Sequence, residues 1–239
     1  MIRQTPEIEH FQHNLRASLR QESAHGQTVA LAKGEHAYVC GDRGETVYYV
    51  KRGQIKLTVV SPAGRECLLA ILVPGDIFGE LCLAGLSRRQ ETATAMAKSL
   101  VTAIPRAQFL VHLSGDALLE GMVQYLALRV ADQQEVIAQL VTVDSEQRLG
   151  AILLDLARRL GKQDPRSIRI EQRITHEELA AMVGTTRQRV CGFLQHFRTL
   201  GLIEFSAEHH LIVKEGKLAE YLAQLAGWVS CIWVLMAAS

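Results

Sequence analysis

The sequence has few cysteines, and none is placed for a disulfide framework or a zinc site. Its five cysteines are scattered along 239 residues, and no two of them are spaced C-x-x-C. An odd, dispersed set is typical of thiols that stay reduced. The first residues carry Arg3, Glu7 and Glu9 and no apolar run, which argues against a signal peptide. We therefore expect a cytoplasmic protein without a structural metal.

Catalytic patterns and a strong net charge are missing too. The sequence contains no recognisable nucleophile–base pair, metal-ligand cluster or phosphate-cradling glycine loop, so an enzyme is not expected. The net charge is only +1, and a nucleic-acid binder of this kind must concentrate its positive charge locally. Residues 185–201 do so, because they contain three arginines and no acidic residue.

The main long hydrophobic run lies near the C-terminus. Residues 225–238 are uncharged and strongly apolar, and Gly227 interrupts them. They are fewer than the ~20 residues that span a bilayer. We expect this tail to pack against its own protein or a sister subunit rather than to enter a membrane. A signalling scaffold that acts through the tail is an alternative function.

The first pattern that is present is one of β structure. Between Thr28 and about Phe109, segments rich in β-branched and aromatic residues alternate with turn signals at intervals of roughly ten residues. Residues 47–50, 55–60 and 68–72 are the clearest predicted strands. This spacing predicts a small sandwich or barrel.

A helical period replaces the β pattern near Gly115. A seam then recurs at alternating spacings of three and four, and two of its members are polar. Its members are Leu119, Met122, Leu126, Arg129, Gln133, Val136 and Leu140. Such a seam predicts a long helix that pairs with a second copy, while polar seam residues fix register and oligomer state. The alternative is a long helix that packs on its own β domain.

A helix-turn-helix is predicted further along the chain. Thr175 and Glu178 form a capping-box pattern that opens a helix. Gly184 then supplies the permissive backbone that a tight turn between helices needs. A second helix is predicted to begin near Thr186. Two short helices joined by a glycine-containing turn are typical of DNA-binding proteins.

Shorter elements flank this motif. An amphipathic helix is predicted at 148–160, and the turn residues 161–165 are expected to end it. A short strand is predicted at 168–170. The segments 201–205 and 211–213 are predicted to form a hairpin, which would be the wing of a winged helix.

The polar side chains at the start of the second helix are expected to face outward and meet DNA. Residues at this place reach base edges in the major groove. Arginine can pair bidentately with guanine and glutamine with adenine, whereas a threonine hydroxyl can hold a phosphate. The predicted DNA contacts are Thr175, Thr185, Thr186, Arg187, Gln188, Arg189 and Cys191. The alternative is an αα-hairpin with a basic, solvated face.

This order of parts resembles the bacterial cyclic-AMP receptor / fumarate-nitrate regulator (CRP/FNR) family of transcription regulators. The likeness is carried by KRGQIKL around Gly53, PGDIFGEL at 74–81 and TTRQRV at 185–190, and it covers roughly residues 26–214. The resemblance implies a homodimer that binds double-stranded DNA at a near-palindromic operator. It also implies a small-molecule nucleotide effector, and RNA polymerase as a further partner.

The resemblance implies an α+β fold in four parts. These are an N-terminal β-roll of the cyclic-nucleotide-binding jelly-roll type at 1–113, a long coiled-coil dimerisation helix at 114–143, a C-terminal winged helix-turn-helix at 144–216 and an apolar helical tail at 217–239. Effector binding in the β-roll would set the orientation of the DNA-binding domains.

The resemblance also points to an effector pocket. In cyclic-AMP-binding members a Gly-Glu pair holds the ribose, and an Arg followed by a hydroxyl residue holds the phosphate. The pair is matched here, but alignment from the far end of the motif places Glu91 and Thr92 at the phosphate positions. The predicted pocket residues are Gly79, Glu80, Leu81, Cys82, Arg88, Arg89, Glu91, Thr92, Arg129, Gln133 and Gln134.

Three interpretations of the pocket stay open. Cyclic di-GMP is one effector, because the adjacent Arg88 and Arg89 suit two phosphates. Cyclic AMP held by Glu80 and a displaced arginine is another. The third is an effector-independent regulator whose pocket is empty or binds a different metabolite. No metal and no covalently bound cofactor is expected.

Overall fold

The computed structural model describes residues 5–21, 26–62, 64, 66–164, 167–206 and 210–225. The chain divides into two compact units, residues 1–135 and 136–239. The last fourteen residues of the predicted apolar tail, 226–239, lie outside the described residues. No helix in the described part of the chain is long and apolar enough to cross a membrane.

The first unit is built on two four-stranded sheets in which every strand pair is antiparallel. The sheet orders are β1-β8-β3-β6 and β2-β7-β4-β5. The strands are β1 Gln27–Leu31, β2 His36–Tyr38, β3 Thr46–Arg52, β4 Ile55–Val60, β5 Glu66–Leu72, β6 Ile77–Phe78, β7 Thr92–Ala95 and β8 Ser99–Pro105. The predicted β domain is therefore confirmed, and its strands contain all three that the sequence marks most clearly.

Side chains alternate across the sheets with the two-residue period of a strand. Val50 and Phe78 point into a core between the two sheets, where they meet Ile55 and Leu57. Val47, which lies on the same strand as Val50 but on its other face, belongs to a second core. The first sheet is thus apolar on both faces, so its second face needs a cover.

Three helices supply that cover. They are α1 Pro6–Gln21, α2 Arg106–His112 and α3 Asp116–Thr142. Phe11 of α1, Phe109 of α2 and Tyr125 of α3 are fully or almost fully buried in the second core. The prediction of β structure up to Phe109 is wrong at its end, because β8 stops at Pro105 and Phe109 is helical.

The exposed stripe of α3 departs from the predicted seam at Met122 and Arg129, whereas the predicted member Val136 is 44% exposed, beside the stripe member Ile137. Its members repeat at spacings of four and three, as a coiled-coil seam requires. They are Leu119 (52% exposed), Val123 (59%), Leu126 (36%), Val130 (52%), Gln133, Ile137 (63%) and Leu140 (48%). The prediction is wrong for Met122 and Arg129. Met122 is buried in the core under the helices, and Arg129 forms an ion pair with Glu80 of the same unit.

In its described residues, the second unit contains the end of α3, four further helices and one antiparallel sheet of order β11-β12-β10-β9. Its helices are α4 Ser145–Leu160, α5 His176–Val183, α6 Arg187–Thr199 and α7 Glu215–Leu225. Its strands are β9 Gly161–Asp164, β10 Ser167–Ile170, β11 Ile203–Phe205 and β12 Leu211–Val213. The predicted winged helix-turn-helix is confirmed.

One detail of this unit differs from expectation. Residues 161–165 were expected to form only a terminating turn, but Gly161–Asp164 is a strand that pairs with Ser167–Ile170. The composition of glycine, charged and amide residues gives no β signal. The strand exists because its backbone completes the edge of the sheet beside β10.

We predict that Thr175→Ala destabilises the second unit by about 1 kcal/mol, because the mutation removes the N-cap of α5. The measurement is chemical denaturation followed by circular dichroism. Thr199→Ala is the control, since the Thr199 hydroxyl donates to the Gln195 carbonyl inside a helix and caps nothing. Equal stabilities of the two variants would contradict the capping role.

Candidate DNA interface and effector pocket

The first helix of the helix-turn-helix is fixed at both ends by its own residues. The Thr175 hydroxyl accepts a hydrogen bond from the Glu178 amide at 3.1 Å, and the Glu178 carboxylate accepts one from the Thr175 amide at 2.9 Å. This reciprocal pair is a capping box. Gly184 ends the helix in the left-handed conformation, with φ of 72°, and its amide donates to the Ala180 carbonyl. The turn to the second helix follows at once.

The second helix, α6, begins at Arg187 with Thr186 as its N-cap. The Thr186 hydroxyl accepts a hydrogen bond from the Arg189 amide at 3.3 Å. Val190, Leu194 and Phe197 form the buried side of the helix. The apolar stripe therefore fixes which side of α6 remains free.

The predicted DNA-contacting side chains lie together at this free surface. Arg187, Gln188, Arg189 and Cys191 are exposed, as is the N-cap Thr186. Thr175 is exposed on the neighbouring helix start, and Thr185 is half-buried in the turn, where its amide donates to the Ala180 carbonyl. The surface carries Arg187 and Arg189 at the start of a helix, a placement that suits phosphate.

Two of the arginines at this surface are held by neighbouring side chains. Arg187 Nε lies 3.0 Å from Glu177 Oε1, on the first turn of α5. The Arg189 guanidinium carbon lies 5.7 Å from the centre of the Phe193 ring, one turn further along α6. Glu177 was not identified from the sequence as a functional residue, although the sequence does place it in the first turn of the predicted helix.

The C-terminal half of α6 is tied to two other helices. His196 Nδ1 lies 2.6 Å from Glu146 Oε1 of α4, and the Tyr221 hydroxyl of α7 donates to the same oxygen at 3.4 Å. The Tyr221 ring also meets Phe197 edge-on, with ring centres 6.0 Å apart. Two helices therefore converge on α6. Of these residues, only Phe197 was identified from the sequence, as part of the apolar side of the helix.

In the first unit, the predicted pocket begins at Gly79 and the short 3-10 helix Glu80–Ala84. Glu80 is 9% exposed, and its Oε1 lies 2.8 Å from Arg129 Nη1 of α3. Burial opposes the charge of Arg129, but Glu80 together with Tyr125 and Asp76 more than compensates, so the pKa of Arg129 is raised. The structure thus brings together two of the predicted pocket residues from distant parts of the sequence.

Arg89 lies in a closely fitted slot and is 6% exposed. Its guanidinium donates to the carbonyls of Gly79 at 2.9 Å and Thr46 at 2.7 Å, and it lies 4.2 Å from the centre of the Tyr38 ring. A Cβ on Gly79 would approach Arg89 Nη1 to 2.6 Å, so only glycine fits beside this side chain. Its Nε is buried without a hydrogen-bond partner among the described residues. A buried cation is therefore held here by neutral groups, with one donor still free.

The paired-arginine site expected from Arg88 and Arg89 does not form in this structure. Arg88 is exposed, and its guanidinium donates to the Gly41 carbonyl at 2.7 Å, whereas Arg89 is buried. The two residues form neighbouring parts of one extended segment, and alternation sends their side chains to opposite sides. Their adjacency in sequence therefore does not give two converging charges.

Glu91 is 5% exposed and accepts a hydrogen bond from the Tyr38 hydroxyl at 2.7 Å. Burial and the negative charge of Glu91 raise the pKa of Tyr38, so this hydroxyl keeps its proton. Thr92 is also engaged, since its hydroxyl accepts from the Cys40 amide at 3.0 Å. Both residues that alignment places at the phosphate positions are therefore already hydrogen-bonded within the protein.

The other predicted pocket residues are dispersed. Cys82 is buried in the core under the helices, whereas Leu81 is 39% exposed. Gln133 and Gln134 are exposed on α3. The part of the pocket that converges in one chain is therefore Gly79, Glu80, Arg89, Glu91 and Arg129, with Tyr38 as a member that the sequence did not reveal.

Two family models match the chain. The cyclic nucleotide-binding domain matches residues 28–115, and the Crp-like helix-turn-helix domain matches residues 147–221. These ranges contain most of the pocket and the two capped helices described above. The match assigns DNA binding to the second unit and a cyclic-nucleotide-binding fold to the first.

Individual relatives agree with this assignment. The chain is 29% identical over 194 residues to a CRP-like cAMP-activated global transcriptional regulator of Mycobacterium tuberculosis, covering 81% of this chain and 87% of the relative. It is 31% identical over 175 residues to the transcriptional regulator LdrP of Thermus thermophilus, covering 72% and 85% respectively. The solved structure of a CRP/FNR-family transcriptional regulator from Thermus thermophilus superposes with a TM-score of 0.68 at 26% identity, covering 83% of this chain and 98% of that one. The chain belongs to the CRP/FNR family of transcription regulators.

Proposed function

We propose that the chain is a homodimeric transcription regulator that binds a near-palindromic operator under the control of a cyclic mononucleotide. The observation that carries the proposal is the doubly capped helix pair, which leaves Arg187, Gln188 and Arg189 exposed at the start of α6. In a dimer, two such helices would enter successive major grooves about 34 Å apart. RNA polymerase is the expected further partner at a promoter.

The exposed stripe of α3 supports the dimer. Its apolar members span nearly the whole helix, and an unpaired face of this kind is costly in water. The heptad spacing of the stripe suits pairing with an identical helix across a two-fold axis. Gln133 interrupts the apolar members, and a polar seam residue of this kind favours a single register.

The pocket supports a single-phosphate effector. The pocket holds one buried cation, Arg89, whose charge suits one phosphate once its bonds to the carbonyls of Gly79 and Thr46 are exchanged. The nearby Glu80 carboxylate can accept from ribose hydroxyls. The Mycobacterium tuberculosis relative is described as cAMP-activated. Cyclic di-GMP is less well supported, because Arg88 lies outside the slot of Arg89.

An effector-independent regulator is the second candidate, and a specific observation favours it. Glu80 is already paired with Arg129, Glu91 with Tyr38, and Arg89 with two carbonyls. Groups of the protein itself therefore already pair with most of the charged side chains of the pocket. A regulator of this kind would bind its operator at full affinity without any nucleotide.

We predict that Arg187→Ala reduces base preference at one position of each half-site by about tenfold, because a bidentate arginine–guanine pair contributes about 1–3 kcal/mol. Binding to an operator selected from a random duplex pool, and to its single-base variants, measures this preference. Arg198→Ala, in the last turn of the same helix, is the control and should leave the preference unchanged. Uniform weakening on every duplex would instead make Arg187 a phosphate contact.

We predict that Val130→Glu weakens dimerisation at least about tenfold, because it buries an unpaired carboxylate from each subunit in the seam. Sedimentation equilibrium over a range of concentrations measures the dissociation constant. Val60→Glu is the matched control, since Val60 is 61% exposed on β4 and lies outside the stripe. An unchanged dimer in the Val130 variant would place the interface elsewhere.

We predict that calorimetric titration shows binding of cyclic AMP or cyclic GMP and that Glu80→Gln weakens it about tenfold, through loss of a charge-assisted hydrogen bond. Glu66→Gln, an exposed carboxylate on β5, is the control. Binding of cyclic di-GMP alone would reassign the effector. No binding of any nucleotide, together with full operator affinity, would favour the effector-independent regulator.

A further inference from the structure

A carboxylate stands at the surface that the proposed function assigns to DNA. Glu177 follows directly on the first residue of α5, and its Oε1 lies 3.0 Å from Arg187 Nε. The Glu177 side chain is 62% exposed and that of Arg187 is 69% exposed. Both are therefore free to meet a ligand, and both sit beside the start of the recognition helix.

Stability explains only a small part of a glutamate at this place, since a carboxylate in the first turn of a helix contributes about 0.3–1 kcal/mol. Exposed ion pairs contribute only about 0–1 kcal/mol to folding. A negative charge beside a DNA-binding surface also repels phosphate groups and lowers affinity for every duplex. The further effect of this carboxylate lies in its contact with Arg187.

The atoms in contact suggest what that advantage is. Glu177 engages the Nε of Arg187, which is the inner nitrogen of the guanidinium. The two outer nitrogens, Nη1 and Nη2, lie at the far end of the side chain, beyond this contact. Two parallel N–H donors at the end of an arginine match the O6 and N7 acceptors of guanine. A guanidinium that is bound to Glu177 through Nε therefore keeps Nη1 and Nη2 for an end-on pair with guanine.

We infer that Glu177 is a positioning residue that sets base specificity through Arg187. It restricts the rotamers of a long, exposed side chain before DNA arrives, so less entropy is lost when the base pair is read. Its charge also opposes capture of Arg187 by a phosphate on non-operator DNA. This inference rests on the proposed reading of guanine by Arg187.

The test is a double-mutant cycle on the full-length protein. An operator is first selected from a random duplex pool with the wild-type chain. Dissociation constants are then measured for this operator, for the operator with the Arg187-dependent base pair replaced, and for a random duplex. The variants are Glu177→Ala, Glu177→Gln, Arg187→Ala and the double variant Glu177→Ala/Arg187→Ala.

Glu177→Ala should reduce the preference for the Arg187-dependent base pair by about tenfold while leaving random-duplex affinity equal or higher. Glu177→Gln should keep most of that preference, because the amide oxygen still accepts from Nε. In the Arg187→Ala background, Glu177→Ala should have no further effect on that preference. Equal thermal unfolding midpoints will show that the exposed substitutions leave the fold intact.

Additive losses in the cycle would overturn the inference, and so would an unchanged base preference in Glu177→Ala. Glu171→Ala is the matched control, because Glu171 forms another exposed pair in the same unit, with Lys162 at 2.9 Å. Its loss should change affinity through charge alone and leave the base preference as it is. If the wild-type chain selects no operator, the proposed function is wrong. If the wild-type chain selects an operator but the Glu177 variants have the same base preference as the wild type, only the inference about Glu177 is wrong.

Discussion

The buried ion pair between Glu80 and Arg129 is the contact on which the arrangement of the first unit depends. It joins the start of the pocket to the middle of α3 at 2.8 Å. Tyr125, one turn earlier on α3, adds a second tie, because its hydroxyl lies within hydrogen-bonding distance of the amide and carbonyl of Ile77. Such a pair contributes little net stability, since desolvation offsets the attraction, but an unpaired partner would be costly. Its effect is therefore to fix one orientation of α3.

That orientation decides which face of α3 stays exposed, and the sequence could not show it. The helix carries two interleaved apolar sets, and both repeat with spacings of three and four. The heptad pattern alone does not say that Met122 and Arg129 face the sheet while Val123 and Val130 face outward. The choice depends on partners far away in sequence, namely the apolar core around Phe11 and Glu80, which lies about fifty residues from Arg129. Local periodicity therefore predicted the helix but not its rotation.

Helices whose ends are fixed by residues close together in sequence could be predicted, whereas arrangements that depend on contacts between distant segments could not. The capped helices of the second unit follow from Thr175, Glu178, Gly184 and Thr186, whose hydrogen bonds all close within a few residues. The N-terminal helix α1 has a readable apolar spacing in residues 8, 11 and 15, but it was not identified from the sequence. In the pocket, reasoning from sequence neighbours failed for residues 88 and 89, because alternation along an extended segment separates them.

Under the proposed function, the same ion pair would couple an effector in the pocket to α3. A ligand that accepts or donates at Glu80 must compete with Arg129, which already occupies that carboxylate. A ligand shifts an equilibrium only by its differential affinity for the two states, and release of Arg129 is the difference available here. Because Arg129 and the exposed stripe share one helix, displacement of Arg129 would rotate or shift the residues on either side of it. Effector binding and pairing of α3 would then be coupled through the side chain of Arg129. A ligand that leaves the Glu80–Arg129 pair intact would not move α3.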